Sequence, residues 1–223
     1  MSAVDEYQAA TEQLATSTER QALAIYAELQ ADRLPPSETT LLLAALINRA
    51  NASAVSLADV WLAVQIEEQT GQPVPTVGVL PVDDSERLAK AVNTVLSEGN
   101  GGQSVVNAGQ KQAGVSDDRA NHLPDAGQMA DQTNAPDMRL QRMARGEVFE
   151  AAQRATHDAM QKQPLVEGWV RHMDADPCQL CRWWWREGRI WPKSHRMPTH
   201  KGCNCQPRIV AAQSIKPVRA KRG

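Results

Sequence analysis

The spacing of five sulfur and nitrogen donors near the end of the chain constrains its fold more than any other feature. Cys178-Gln-Leu-Cys181 is followed after 21 residues by Cys203-Asn-Cys205, and His200 stands three residues before Cys203. A C-x-x-C turn aims two thiolates at one point, and a second pair at this distance closes a tetrahedral site. The ligand type suits Zn2+ and not the oxygen-seeking Mg2+ or Ca2+. Such a structural ion folds a unit too small to bury enough apolar surface alone. Five donors compete for four positions. Either the four cysteines bind, or His200 replaces Cys203 or Cys205, because alternate residues of a regular strand point in opposite directions. His195 is a weaker candidate and His172 weaker still. The other sources of this pattern fit less well. A redox C-x-x-C needs a βαβ context that is absent here. A catalytic zinc usually keeps an open position beside a carboxylate base, and Glu187 is the single acid after residue 177.

All four cysteines and five of the six tryptophans lie between residues 169 and 205. Trp183, Trp184 and Trp185 are consecutive and cannot all face one side of any regular element. Part of this run, beside Arg182, Arg186 and Arg189, is expected at a protein interface or stacked on nucleic acid. Trp169 and Trp191 are expected in a mini-core around the knuckle. Gly188–Pro192 reads as a turn and short strand. Charge is split as unevenly. Residues 178–223 carry eleven basic residues and one acid, so the net charge of −2 hides about −12 before residue 178 and +10 after it. The basic tail, with Arg208, Lys216, Arg219, Lys221 and Arg222, suits phosphates or an acidic protein surface.

The preceding sequence reads as mainly α. Aliphatic residues and Ala are plentiful while aromatics are 4% of the chain, too few for a sandwich or barrel. A helical period runs over 5–30 and stops at Pro35 and Pro36. Ser37 is then expected to cap a helix over 38–49 with LLLAALI buried. Asn51 and Ser53 are expected to open a third helix that Gly71 ends. Asp83 and Asp84 cap a fourth over 85–98, with Leu88, Val92 and Val95 on one face. Residues 99–135 hold few large apolar residues and read as a linker or extended arm, with His122 a lone loop histidine. A long helix begins at Pro136–Asp137, with an apolar stripe through Leu140, Met143, Ala144, Val148, Ala151, Ala152 and Ala155. Gly146 within it suggests a close approach. Arg145 and Glu147, two apart, point in different directions and can anchor different parts of the unit that follows, or simply be surface charges. The expected organisation is a helical domain over 1–98, a flexible middle over 99–135, a small zinc-knuckle α+β unit over 136–210 built from a long helix and short strands, and a basic tail over 211–223. No run of 18 apolar residues exists, so no membrane span is expected. The N-terminus lacks the pattern of a secretory signal, so the cysteines are read as ligands in a reducing compartment.

One combination of elements resembles a known family. The elements are Ala144-Arg145-Gly146-Glu147 with Ala151, Ala152 and Ala155; Trp169; Asp174 through Cys178 and Cys181; Gly188 through Pro192; and His200, Cys203 and Cys205. In order and spacing this is similar to the MuF-like head-morphogenesis domain of minor capsid proteins of tailed bacteriophages, over about residues 137–210. The resemblance departs in the bulky Trp run and in Lys201-Gly202, where proline is common. It implies a structural protein of the phage head; because the sequence offers no catalytic arrangement, no enzymatic activity and no small-molecule substrate are expected. Such a protein assembles in the host cytoplasm and resides in the virion, in the head interior or at the portal vertex. Implied partners are the portal protein and the major capsid or scaffolding protein, with packaged DNA as a further contact. The competing classes are a zinc-containing nucleic-acid-binding module and a metal-dependent nuclease.

Overall fold

A computed structural model describes residues 1–106 and 135–212. His122, most of the expected linker and most of the basic tail, including Lys216, Arg219, Lys221 and Arg222, lie outside the described residues. The described chain is mainly α-helical, with a small antiparallel sheet near the C-terminus. The elements are α1 (Ala3–Gln30), α2 (Pro36–Thr70), α3 (Ser85–Val106), α4 (Pro136–Lys162), β1 (Val166–His172), α5 (Gln179–Trp185), a 3-10 turn (Arg186–Gly188), β2 (Trp191–Pro192) and β3 (Gln206–Ala211).

Two expectations for the helices change. Residues 36–70 form one helix, not two. Pro36 takes the first helical position, where its missing N–H costs nothing, so Ser37 lies inside the helix. Asn51 and Ser53 do not cap: Ser53 Oγ donates to the Arg49 carbonyl at 3.1 Å, and Asn51 Nδ2 donates to Glu147 at 3.4 Å. No Gly or Pro lies between them and Thr70, so nothing interrupts the backbone until Gly71, at φ +67°. The LLLAALI run is also only partly buried. Leu43, Ala44, Leu46 and Ile47 are inside, while Leu41 and Leu42 are 66% and 41% exposed because the helical turn carries them to the other face. By length and composition alone α2 is apolar enough to cross a membrane, but half of that stretch is buried inside the protein. Helix α3 starts as expected, with Asp83 accepting the Ser85 amide at 3.0 Å, and continues past residue 98 to Val106.

The chain forms two compact units that interleave along the sequence. The second unit comprises residues 17–48 and 83–145. Its core joins Ala22, Leu43, Ile47, Leu88, Val92, Leu140 and Ala144. Arg145 belongs to it and meets Glu19 at 3.2 Å.

The first unit comprises residues 1–16, 49–82 and 146–223. Here the start of α1, the second half of α2 and most of α4 pack through small residues. Tyr7, Ala50, Ala54, Ala58, Val148, Ala151, Ala152 and Ala155 are all buried together with Phe149. The alanine stripe lets the helices approach closely, and the Tyr7 hydroxyl meets Thr156 Oγ1 at 3.0 Å. Glu147 reaches Asn51 in α2, and Arg145 reaches Glu19 in α1, so each touches a preceding helix. Asp59 holds the irregular segment after α2: its carboxylate accepts the amides of Val77, Gly78 and Val79 at 2.8–3.0 Å.

The sheet has the order β2-β1-β3, antiparallel throughout, with Trp169 opposite Trp191 and Ile209. Strand β3 is an edge, and two glutamines one turn apart on α2 cover it. Gln65 accepts the Ile209 amide at 3.1 Å. Gln69 donates to the Ile209 carbonyl at 2.9 Å and accepts the Ala211 amide at 3.0 Å. The sheet's apolar side closes on Leu62, Ile66, Ala159 and Met160, with Trp169 fully buried. Gly168 is required where β1 meets β2. A Cβ there would lie 2.4 Å from the Trp191 carbonyl oxygen.

Candidate metal centre

The two cysteine pairs come from different local structures. Cys178 caps α5 in an extended conformation, near the backbone amides of the first turn but without a side-chain cap hydrogen bond from them. Those amides, Cys181 first, lower the Cys178 thiol below its usual range. Cys181 faces inward from the helix and is buried. Cys203-Asn204-Cys205 is the turn that leads into β3, not a strand. That lets both sulfurs face the same side, which the sequence pattern alone could not decide. The Cys205 amide donates to Cys203 Sγ at 3.4 Å.

His200 Nε2 lies 3.1 Å from both Cys178 Sγ and Cys181 Sγ, and Cys181 Sγ lies 3.4 Å from Cys203 Sγ. A four-coordinate ion bound by thiolate and imidazole holds its donors about 3.5–3.8 Å apart, so this cluster is only slightly tighter. His200 Nδ1 is 3.1 Å from the Lys201 carbonyl; donating there leaves Nε2 as a lone-pair donor toward the sulfurs. All five expected donors are brought together, as two triads sharing Cys181: Cys178, Cys181 and His200, then Cys181, Cys203 and Cys205. They could hold a metal ion. Burial pushes the Cys181 thiol up to about 12. Cys203 beside it, together with burial, raises the Cys205 thiol further. Thiolates so crowded repel one another, and a cation among them is what relieves the repulsion.

The two weaker histidine candidates are used elsewhere. His195 stacks on Trp191 at 4.3 Å between ring centroids, and its carbonyl accepts from Trp169 Nε1 at 2.7 Å. His172 Nε2 meets Asp5 at 2.8 Å.

Three residues that sequence reasoning did not single out support the centre. Gln153 of α4 donates to the carbonyls of Cys203 and Cys205, at 2.7 and 2.9 Å. Asn204 exchanges hydrogen bonds with the Gln8 side chain and backbone and accepts from Thr11 Oγ1 at 2.8 Å. Arg171, 2% exposed, places Nη1 3.9 Å from Cys181 Sγ and donates through Nη2 to the Pro198 carbonyl. No carboxylate pairs with it among the described residues. Its one sequence signal is its position in the strand two residues after Trp169.

The tryptophan run divides by helical rotation. Trp184 turns inward, 6.0 Å from the His200 ring and under the Arg171 guanidinium at 5.3 Å. Trp183 is 69% exposed and Trp185 37%, with Arg182, Arg186 and Arg189 exposed around them. Arg189 also lies 4.2 Å over Trp191. Glu150, Arg154, His157, Arg196, Thr199 and Lys201 border a cleft beside His200 that sequence reasoning did not foresee.

Comparison with protein-family models, with curated proteins and with solved structures gives no match.

Proposed function

We propose that this chain is a structural minor protein of a tailed-phage head, associated with the portal. In this reading Zn2+ held by Cys178, Cys181, His200 and Cys203 knits the C-terminal unit onto α4. The observation that carries the reading is the convergence of C-x-x-C and H-x-x-C-x-C on one point, against the alanine-rich helix that the MuF-like resemblance places before them. Zinc fits the donors chemically, since borderline-soft thiolates and imidazole favour it over hard cations. The ion supplies cross-linking among segments that share little apolar surface. Charge favours three thiolates over four. Three thiolates and one Zn2+ leave a net −1, which the buried Arg171 cation balances; four would leave −2.

The exposed face of Trp183 and Trp185, rimmed by arginines, is the surface offered to the portal ring or to the capsid and scaffolding proteins. Mixed expression with the cognate portal protein tests this. The chain should co-purify with the ring, and its absence from purified heads by mass spectrometry would end the proposal. Untagged protein should carry one equivalent of zinc, and less than half an equivalent would remove the metal from the reading. Cys203→Ser should lose that zinc, whereas Cys205→Ser should retain it. A second reading, a zinc-containing nucleic-acid-binding module, draws on the same aromatic and basic surface. DNA binding by the full chain that weakens steeply with salt would favour it.

A further inference from the structure

The four cysteines of the metal centre differ in their access to solvent. Cys178 is exposed, whereas Cys181, Cys203 and Cys205 are buried, each at most 2% exposed. Helix α5 sets the division: Cys178 stands just before its first turn, and Cys181 faces inward three residues later. The two sulfurs still converge. Each is 3.1 Å from His200 Nε2, and they lie within 4.8 Å of one another. Rotation about their Cα–Cβ bonds can close that gap to the roughly 2.05 Å of a disulfide. The shorter separation, 3.4 Å between Cys181 and Cys203, joins two sulfurs that are both shielded from solvent. One sulfur open to attack, with one buried sulfur in reach of it, is the arrangement that two-step thiol oxidation requires.

We propose that Cys178 is a modification site for hydroperoxides, and that Cys181 resolves the product into a Cys178–Cys181 disulfide that empties the metal centre. The loss of metal rests on the zinc reading above; the disulfide does not. In the first step the Cys178 thiolate attacks one peroxide oxygen. The O–O bond breaks, an S–O bond forms, and hydroxide leaves. In the second step the Cys181 thiolate attacks the Cys178 sulfur. The S–O bond breaks, the S–S bond forms, and a second hydroxide leaves. The two sulfurs give up two electrons in all, and the peroxide is reduced by the same two. Thiolate, and not disulfide, is the metal ligand, so two donors are withdrawn at once. His200, Cys203 and Cys205 remain, which is one donor short of a closed tetrahedral site.

The test treats the full-length chain with excess hydrogen peroxide after its zinc content has been measured. A chromophoric chelator follows released metal, and tryptic mass spectrometry after alkylation follows each thiol. Cys178 and Cys181 fall together in the peptide 172–182, and Cys203 and Cys205 in the peptide 202–208. The first peptide should lose two hydrogens and resist alkylation, while the second still takes two alkyl groups. Bound zinc should appear in the chelator at the same rate, and a dithiol reductant should restore alkylation of the first peptide. Cys178→Ser should slow the consumption of the remaining thiols at least about tenfold, since those left are buried. The peptide map of the unaltered chain decides the matter even if that variant misfolds. Oxidation that begins in the peptide 202–208, a Cys178 that goes on to sulfinic acid without pairing, or thiols untouched by peroxide would overturn the proposal. A disulfide formed while zinc stays bound would overturn the release of metal. A chain without zinc before treatment ends the zinc reading alone, and the loss of two hydrogens still decides the fate of the cysteine pair. None of these results depends on whether the chain belongs to a phage head.

Discussion

Replacing Gln153 by Leu would test whether α4 holds the cysteine turn through hydrogen bonds or merely by packing. The side chain is 6% exposed, and its Nε2 donates to the carbonyls of Cys203 and Cys205. Leucine keeps most of the volume and removes the donor. Two buried carbonyls then lose their partner, at about 1–3 kcal/mol each. The change also removes the unpartnered Oε1, which returns about 1–2 kcal/mol. The expected net loss is about 2–3 kcal/mol. Urea unfolding of the metal-loaded protein, followed by tryptophan fluorescence, measures it. All six tryptophans belong to the first unit, so the signal reports the unit that contains the bond. Gln153→Glu should be worse, because a carboxylate would face the same two carbonyl oxygens. A loss below about 0.5 kcal/mol for the leucine variant would show that the turn is held by the cysteines alone, and the reasoning would fall.

Other expectations follow from the same contacts. Arg171→Met should weaken metal binding about ten- to a hundredfold in competition with a chromophoric chelator, because the anionic cluster loses its buried counter-charge; unchanged affinity would refute that role. Asp5 is held down at about 2, first by the Ser2 hydroxyl, then by the Ser2 amide and His172. Its folded value lies below its unfolded one, so its contribution is present above about pH 4 and is lost as pH falls toward 2. Because the side chain is 41% exposed, solvent screening limits that contribution to about 1 kcal/mol. An Asp5→Asn variant should therefore lose stability at pH 6 and match the parent near pH 2, and equal deficits at both would contradict this. Gly168→Ala should cost about 2–4 kcal/mol, since the new methyl meets the backbone oxygen of Trp191 and not a movable side chain; a melt within about 1 °C of the parent would show that β2 yields freely. Trp183→Ser should leave stability within about 0.5 kcal/mol and abolish portal co-purification, whereas a large drop in stability would make Trp183 part of the core.

Local signals in the sequence were legible where the chain's own neighbours decide the outcome. The end of α1 at Gln30 was legible, although the left-handed Asp32 closes the helix before the proline pair is reached; Gly71 ended α2, and the apolar spacing of Leu88, Val92 and Val95 named the buried face of α3. The errors fall where a side chain's partner is distant. Asn51 and Ser53 have the composition of a helix start. Asn51 instead bonds to Glu147, 96 residues away, and the helix runs through. Leu41 belongs to an apolar run, yet only the three-dimensional arrangement says which side of α2 is covered. Gln65 and Gln69 look like solvent-facing residues of an amphipathic helix, but they supply the missing partners of a strand edge some 140 residues later. Periodicity carries no information about such pairings.

The same division runs through the metal centre. Thiolate and imidazole spacing is written in the sequence because a turn sets it, so all five donors were identifiable from Cys178 to Cys205. What fixes their charge is not written there. Arg171 sits in a strand whose neighbours are apolar or aromatic, and nothing about that position marks it as the partner of a thiolate. Yet a guanidinium 2% exposed, with no carboxylate beside it, would cost several kcal/mol unless something anionic lies close. Cys181 Sγ lies 3.9 Å from Nη1, and burial pushes that thiol up to about 12. Arg171 has no paired carboxylate among the described residues, and burial favours the neutral form of the Cys181 thiol. The proposed divalent ion would resolve both at once, because it would stabilise the thiolates and leave a single negative charge for Arg171 to meet. That reciprocity argues for three thiolates and one imidazole, with Cys205 beside the ion and not on it.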